Sequence, residues 1–174
     1  MRHDKIYLVG FMGAGKTTLA SALGERLGWG VEDVDRLIEA REGLTVAEIF
    51  ARHGEPYFRD VEREIVRLLL PLRRVVVATG GGTFVDLANR VAINRDGLSI
   101  WIDVPFEMVL ARVPPDGSRP LGTDAGQVAR LYDVRRAAYQ DAHLRLDAGE
   151  LSVSTLVDRV LDRLATLWPG LCDI

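Results

Sequence analysis

The 174 residues contain a single cysteine, Cys172, so no disulfide can form within the chain and no cysteine cluster can hold a metal. That usage suits a reducing compartment. Histidine is nearly as scarce. His3, His53 and His143 show no ligand spacing, and none is expected to do chemistry. Nor is basic charge in excess: 22 Lys and Arg against 25 Asp and Glu leave a formal net charge of −3. Such a chain is a poor candidate for non-specific binding to nucleic acid or to an anionic membrane. No apolar run approaches the ~18 residues of a membrane span; Val75-Val76-Val77-Ala78 is among the longest. The start, Met1-Arg2-His3-Asp4-Lys5, is too short for a secretory leader and lacks its small-residue cleavage site. There is no internal repeat, and 48% apolar with 27% charged residues is ordinary globular usage. The expectation is one domain over residues 1–174, located in the cytoplasm.

What the chain does have is alternation. Ile6–Val9, a short run near Val31, Val75–Thr79, Leu98–Asp103 and Leu144–Leu146 read as strands. Between them, helical spacing links Leu19, Leu23 and Leu27; Val46, Ile49 and Phe50; Phe58, Val61, Ile65, Leu68 and Leu69; Val128, Leu131, Arg135 and Tyr139; and Leu156, Val160 and Leu164. Pro105 is placed to open a further helix. Strands alternating with helices argue for βαβ units, hence an α/β fold with a parallel sheet between two layers of helices. The stretch 113–124, with Pro114, Pro115 and Pro120, breaks the rhythm and reads as a surface loop.

The strongest local signal is Gly10-Phe11-Met12-Gly13-Ala14-Gly15-Lys16-Thr17, which has phosphate-loop spacing between a predicted strand and a predicted helix. In such a loop backbone N–H groups and the helix N-terminus face phosphate oxygens. Lys16 would reach the β- and γ-phosphates, and the Thr17 hydroxyl would ligate Mg²⁺. The strand Val75–Thr79 carries no acid for the metal, and no Asn-Lys-x-Asp guanine-reading sequence occurs. The carboxylate must come from elsewhere, and Asp33-Val34-Asp35 is the best source: at a strand end, residues i and i+2 share a side. One carboxylate could hold magnesium through water while the other accepts a proton from an attacking hydroxyl. The competing role is a helix N-cap, which Asp35 could fill.

Gly80-Gly81-Gly82 ends a strand, where a small molecule could lie directly on the main chain, although a tight turn would also use glycine. Arg59 has Glu55 four residues before it and Glu62 three after, which is either a solvated ion-pair ladder or a braced functional arginine. Arg135 falls in an otherwise apolar helical row that contains no acid. A charge there needs a partner, and two inward arginines suit a carboxylate. Arg136 is the alternative if the helical phase is off by one. Arg119, in the Pro/Gly-rich loop, could stabilise the transferring phosphoryl group. Arg112 could stack on a nucleobase or simply complement a helix C-terminus.

These runs come in one order: Gly-Phe-Met-Gly-Ala-Gly-Lys-Thr-Thr (10–18), Glu-Asp-Val-Asp (32–35), Gly-Glu-Pro-Tyr-Phe-Arg-Asp-Val-Glu (54–62), Ala-Thr-Gly-Gly-Gly (78–82) and Ser-Arg-Pro-Leu (118–121). In that order the chain resembles the shikimate kinases from about Ile6 to Leu164. The resemblance implies a nucleoside-monophosphate-kinase-like fold with a five-stranded parallel sheet, a substrate-binding segment near 33–62 and a mobile lid near 113–124. It implies transfer of the γ-phosphoryl group of ATP to the 3-hydroxyl of shikimate, with Mg²⁺ as cofactor. Position by position, it implies that Asp35, Arg59, Gly80, Gly81, Gly82 and Arg135 hold shikimate, with Glu62 bracing Arg59. Lys16, Asp35 and Arg119 would carry catalysis. Gly13, Ala14, Gly15, Lys16, Thr17, Thr18, Arg112 and Arg119 would hold ATP, and Thr17 and Asp33 the metal. ATP and shikimate are the expected partners of a monomer, with no nucleic acid and no membrane. The chain departs from the family at Arg135-Arg136-Ala137-Ala138-Tyr139, where a proline is usual, and at Gly122 after Arg-Pro-Leu. A related kinase acting on gluconate or a nucleoside monophosphate, or an inactive ATP-binding regulator, are the alternatives on the same fold.

Overall fold

Five short aliphatic runs form the sheet in the computed structural model of the chain, which describes residues 4–112 and 125–168. They are β1 (Lys5–Val9), β2 (Gly30–Asp33), β3 (Val75–Ala78), β4 (Leu98–Asp103) and β5 (Leu144–Asp147). All neighbours pair in parallel, in the order β2-β3-β1-β4-β5. Parallel neighbours need crossovers rather than hairpins. These are supplied by α1 (Lys16–Leu27), α2 (Val34–Glu42), α3 (Val46–Leu69), α4 (Leu87–Asp96), α5 (Phe106–Arg112) and α6 (Ala125–Tyr139), and α7 (Val153–Leu167) follows β5. Every residue of β1, β3 and β4 is buried, while the edge strands β2 and β5 are partly exposed. A strand covered on both faces must be apolar at nearly every position, which is why the three central strands stand out in the sequence. Among the described residues, no helix is long and apolar enough to cross a membrane.

The structure departs from the sequence reading in three places that matter for the site. First, β2 stops at Asp33, and Val34 and Asp35 already belong to α2. Asp33, not Asp35, is the N-cap: its Oδ1 accepts from the Arg36 N–H at 3.2 Å. The i, i+2 strand argument for the two acids therefore does not apply; they are brought together by a strand-to-helix corner. Second, the two helices expected over 46–69 run almost continuously as α3. A Thr45–Glu48 capping box starts it, and Gly54 (φ 81°, ψ 170°) breaks it. Glycine tolerates that left-handed φ, and Pro56 sits just after the break, where a missing N–H does little harm. Third, 87–96 is helical without an apolar stripe: α4 buries Asn89 and Ile93 and leaves Leu87 and Val91 in solvent.

The N-terminal edge of the sheet is locked by a buried cation. Lys5 is fully buried. Its Nζ donates to the carbonyls of Leu69 (2.6 Å) and Leu70 (3.1 Å) at the C-terminus of α3, and to Asp96 Oδ2 at 2.7 Å. Tyr7 donates to the same carboxylate at 2.7 Å. One ammonium thus ties the central strand to the ends of α3 and α4. Asp96→Ala would leave that ammonium buried without its counter-charge. We expect it to lower unfolding free energy by about 3–5 kcal/mol, measured by urea titration.

Candidate active site

Functional side chains gather where the strands end, the edge at which open α/β sheets bind ligands. The loop after β1 leads from Gly10 into α1. A Cβ on Gly10 would lie 2.7 Å from the Ile102 carbonyl of β4, so a larger residue would push the neighbouring strand away. Gly15 caps α1 in the left-handed region (φ 87°). Lys16 is buried, and its Nζ donates to the carbonyls of Gly10 (2.9 Å) and Phe11 (2.7 Å) in its own loop. The ammonium is therefore held over the loop's concavity, and the N-terminus of α1 points into the same space.

Thr17 connects this loop to the next. Its hydroxyl donates to Asp33 Oδ2 at 2.7 Å. Asp33 thus has one carboxylate oxygen on Thr17 and the other on the first turn of α2. Both Asp33 and Asp35 line a cavity of about 350 Å³, with Met12, Thr17, Arg59, Glu62, Gly80, Gly81, Gly82 and Arg135. Phe50 and Phe58, whose tilted rings have centres 4.7 Å apart, form its apolar wall. The sequence reading gave both phenylalanines only a helical spacing, which is the same whether they face protein or a cavity.

The three glycines each make room for one charged side chain. A Cβ on Gly80 would come 2.6 Å from Asp35 Oδ1, one on Gly81 would come 3.0 Å from Arg135 Nη1, and one on Gly82 would come 2.6 Å from Arg59 Cζ. None of the three has a positive φ, so space rather than backbone freedom accounts for them. Around that turn Arg59 is largely enclosed. Its Nη1 donates to Glu62 Oε2 at 2.9 Å, and its Nε and Nη2 donate to Glu55 Oε1. Glu62 is 1% exposed; it is therefore a buried counter-ion, whereas Glu55 is a surface partner. Burial pulls the Arg59 pKa down, and the Glu62 and Glu55 carboxylates together outweigh it, so the net direction is up. Arg135 is 5% exposed, and its guanidinium lies 5.6 Å from the Phe11 ring centre. Among the described residues it forms no ion pair. Burial first, and then the charge of Arg59, hold its pKa below the ordinary arginine value.

Arg136 points away. It lines a different cavity, reaches Asp103 Oδ2 at 3.4 Å and covers Trp101. The helical phase therefore puts Arg135, not Arg136, beside Arg59. Arg112 Nη1 donates to the Gly13 carbonyl at 3.3 Å. It borders a smaller cavity, about 290 Å³, beside the phosphate loop, with Gly13, Ala14, Gly15, Thr18, Ala148 and Leu156. Arg119, and the loop and lid expected over 113–124, lie outside the described residues.

The sequence model of the shikimate kinase family matches residues 12–165. The chain is similar to the shikimate kinase of Persephonella marina, 38% identical over 160 residues, covering 91% of this chain and 98% of the relative. Its fold is similar to that of the Acinetobacter baumannii shikimate kinase in complex with shikimate, with a TM-score of 0.91, 32% identity and 96% of each chain covered. A deoxyadenosine kinase from M. mycoides, with a TM-score of 0.62 and 17% identity over 94% of this chain and 99% of that one, shares the fold alone.

The burial of Glu62 leads to a prediction that is independent of any ligand. Glu62→Gln keeps the shape and removes the charge between two guanidiniums. It should lower unfolding free energy by about 2–3 kcal/mol, read from denaturant midpoints.

Proposed function

The chain belongs to the shikimate kinase family, and we propose on that premise that it transfers the γ-phosphoryl group of ATP to the 3-hydroxyl of shikimate, using the pocket between the phosphate loop and the Gly80–Gly82 turn. One observation carries the residue assignment: Asp35, Arg59 and Arg135 converge on a single cavity whose opposite rim is the phosphate loop. A hydroxylated ring acid fits that polarity. Its carboxylate would accept forked hydrogen bonds from Arg59 and Arg135, with its ring against Phe50 and Phe58. Its hydroxyls would face Asp35, with the nearby main chain at Gly80 and Gly81 as a further contact.

Phosphoryl transfer asks little covalent chemistry of the protein. Positioning and charge stabilisation do most of the work. The acidic end of the pocket orients the acceptor hydroxyl, and Asp35 is placed to take its proton as the O–P bond forms. Lys16 leaves the loop carbonyls for the β- and γ-phosphate oxygens and neutralises the charge that builds there. Arg119 is assigned to the transferring group from its Ser-Arg-Pro-Leu run, and Arg112 to the base of the nucleotide. The cavity that Arg112 borders is lined by Gly13, Ala14, Gly15 and Thr18 of the phosphate loop and the start of α1, which suits the nucleotide end of ATP. The Thr17 hydroxyl and Asp33 carboxylate, 2.7 Å apart, are hard oxygen donors that fit Mg²⁺. Bound there with the phosphates, the ion would supply charge neutralisation.

Lys16→Ala should lower kcat by roughly a thousandfold. Arg135→Ala should raise the shikimate KM by about 10–100-fold and leave the ATP KM nearly unchanged, whereas Arg136→Ala should move neither by more than about twofold. Gly82→Ala, by displacing Arg59, should resemble Arg135→Ala. The direct test is ADP release from Mg-ATP with shikimate, gluconate and nucleoside monophosphates as acceptors. Turnover confined to shikimate is the expected result. Turnover of gluconate or a nucleotide instead would replace the substrate assignment, and release with none would make the chain a nucleotide-binding regulator.

A further inference from the structure

We infer that Tyr139 and Thr83 are positioning residues that set the distance between the Arg59 and Arg135 guanidiniums, by tying α6 and α3 to opposite ends of one short turn. The inference rests on reading the pocket as the seat of a carboxylate substrate. Tyr139 is 2% exposed, and its hydroxyl donates to the Gly81 carbonyl. It follows Arg135 by four residues, so the two side chains share one helical face, and the Arg135 guanidinium interacts with the phenol oxygen. Burial pushes the Tyr139 pKa up, which keeps the phenol a neutral donor. On the other side Thr83, fully buried, donates to Glu62 Oε1 at 2.7 Å, while Glu62 Oε2 receives Arg59.

Each guanidinium packs on the glycines of the turn and is also hydrogen-bonded to that turn through one intermediary. Arg135 is linked through Tyr139 to Gly81, and Arg59 through Glu62 to Thr83. Two guanidiniums in one pocket repel each other, and the charge of Arg59 does act against Arg135. Unanchored, they would spread apart toward solvent. A planar carboxylate bridging both needs them at one separation, and the two hydroxyls hold the helices that carry them to a common gauge.

The test uses Tyr139→Phe and Thr83→Val, which remove the hydroxyls and keep shape, with Thr83→Ser as the conservative variant. Calorimetry measures binding of shikimate and of its uncharged methyl ester, and steady-state kinetics give both KM values and kcat. We expect shikimate affinity to fall about tenfold in either variant, with the ester and ATP changed less than twofold. The preference for acid over ester would therefore shrink by the same tenfold. Thr83→Ser should restore wild-type preference. If acid and ester weaken in parallel, or the preference is unchanged, the hydroxyls serve folding only and the inference is overturned. If Tyr139→Phe does not fold, the Thr83 pair decides the question alone. Failure of the underlying reading looks different: the unsubstituted protein would itself bind acid and ester equally.

Discussion

The buried Arg59–Glu62 ion pair is the constraint around which the pocket is arranged. Placing two guanidiniums in one half-closed cavity is unfavourable twice over, because each loses water and each repels the other. Glu62 supplies an internal counter-charge for one of them, and both of its carboxylate oxygens are occupied, by Arg59 and by Thr83. With that pair in place the net charge of the lining is one positive unit lower. Arg135 then remains as a buried cation with no ion pair among the described residues, resting on an aromatic ring. Such a site is pre-organised for a single negative group, because the protein has already bound most of the orientation entropy during folding.

The fold delivers these groups by a simple rule. In a parallel sheet every strand ends at the same edge, so the loops after β1, β2 and β3 present Lys16 and Thr17, Asp33 and Asp35, and Gly80–Gly82 to one place. The long helix α3 adds Arg59 and Glu62, and α6 adds Arg135 and Tyr139. At the other edge Lys5 clasps the far ends of α3 and α4. The helix that bears Arg59 is therefore fixed at its C-terminal end, while its first two turns are set off by the Gly54 break.

Much of this was legible in the sequence, for definite reasons. The phosphate loop shows because its glycines have few substitutes, and the central strands show because burial on both faces leaves few polar positions. Arg135 stood out because one charge in an apolar row is conspicuous, but spacing alone left Arg136 open and the structure set the phase. Asp33 and Asp35 were correctly placed together, but by the wrong geometry, since nothing local says whether a strand ends at residue 33 or 35. Phe50 and Phe58 were hidden, because a cavity wall and a core have the same composition. Helix α4 was hidden by its inverted pattern, a buried Asn89 and an exposed Leu87. Thr83 and Tyr139 carry no signal of their own. A hydroxyl matters only through what lies opposite it, and both partners are distant in the chain.

Lys16 begins with its ammonium already satisfied by two neutral carbonyls of its own loop. Under the proposed function an arriving polyphosphate would compete for a cation that is already engaged, and a charged acceptor forms a stronger hydrogen bond with it than a neutral carbonyl does. A nucleoside lacking the phosphate tail offers no such exchange. Under the proposed function the loop's cation would favour anionic cargo, and Lys16 itself would set a phosphorylated nucleoside apart from a bare one.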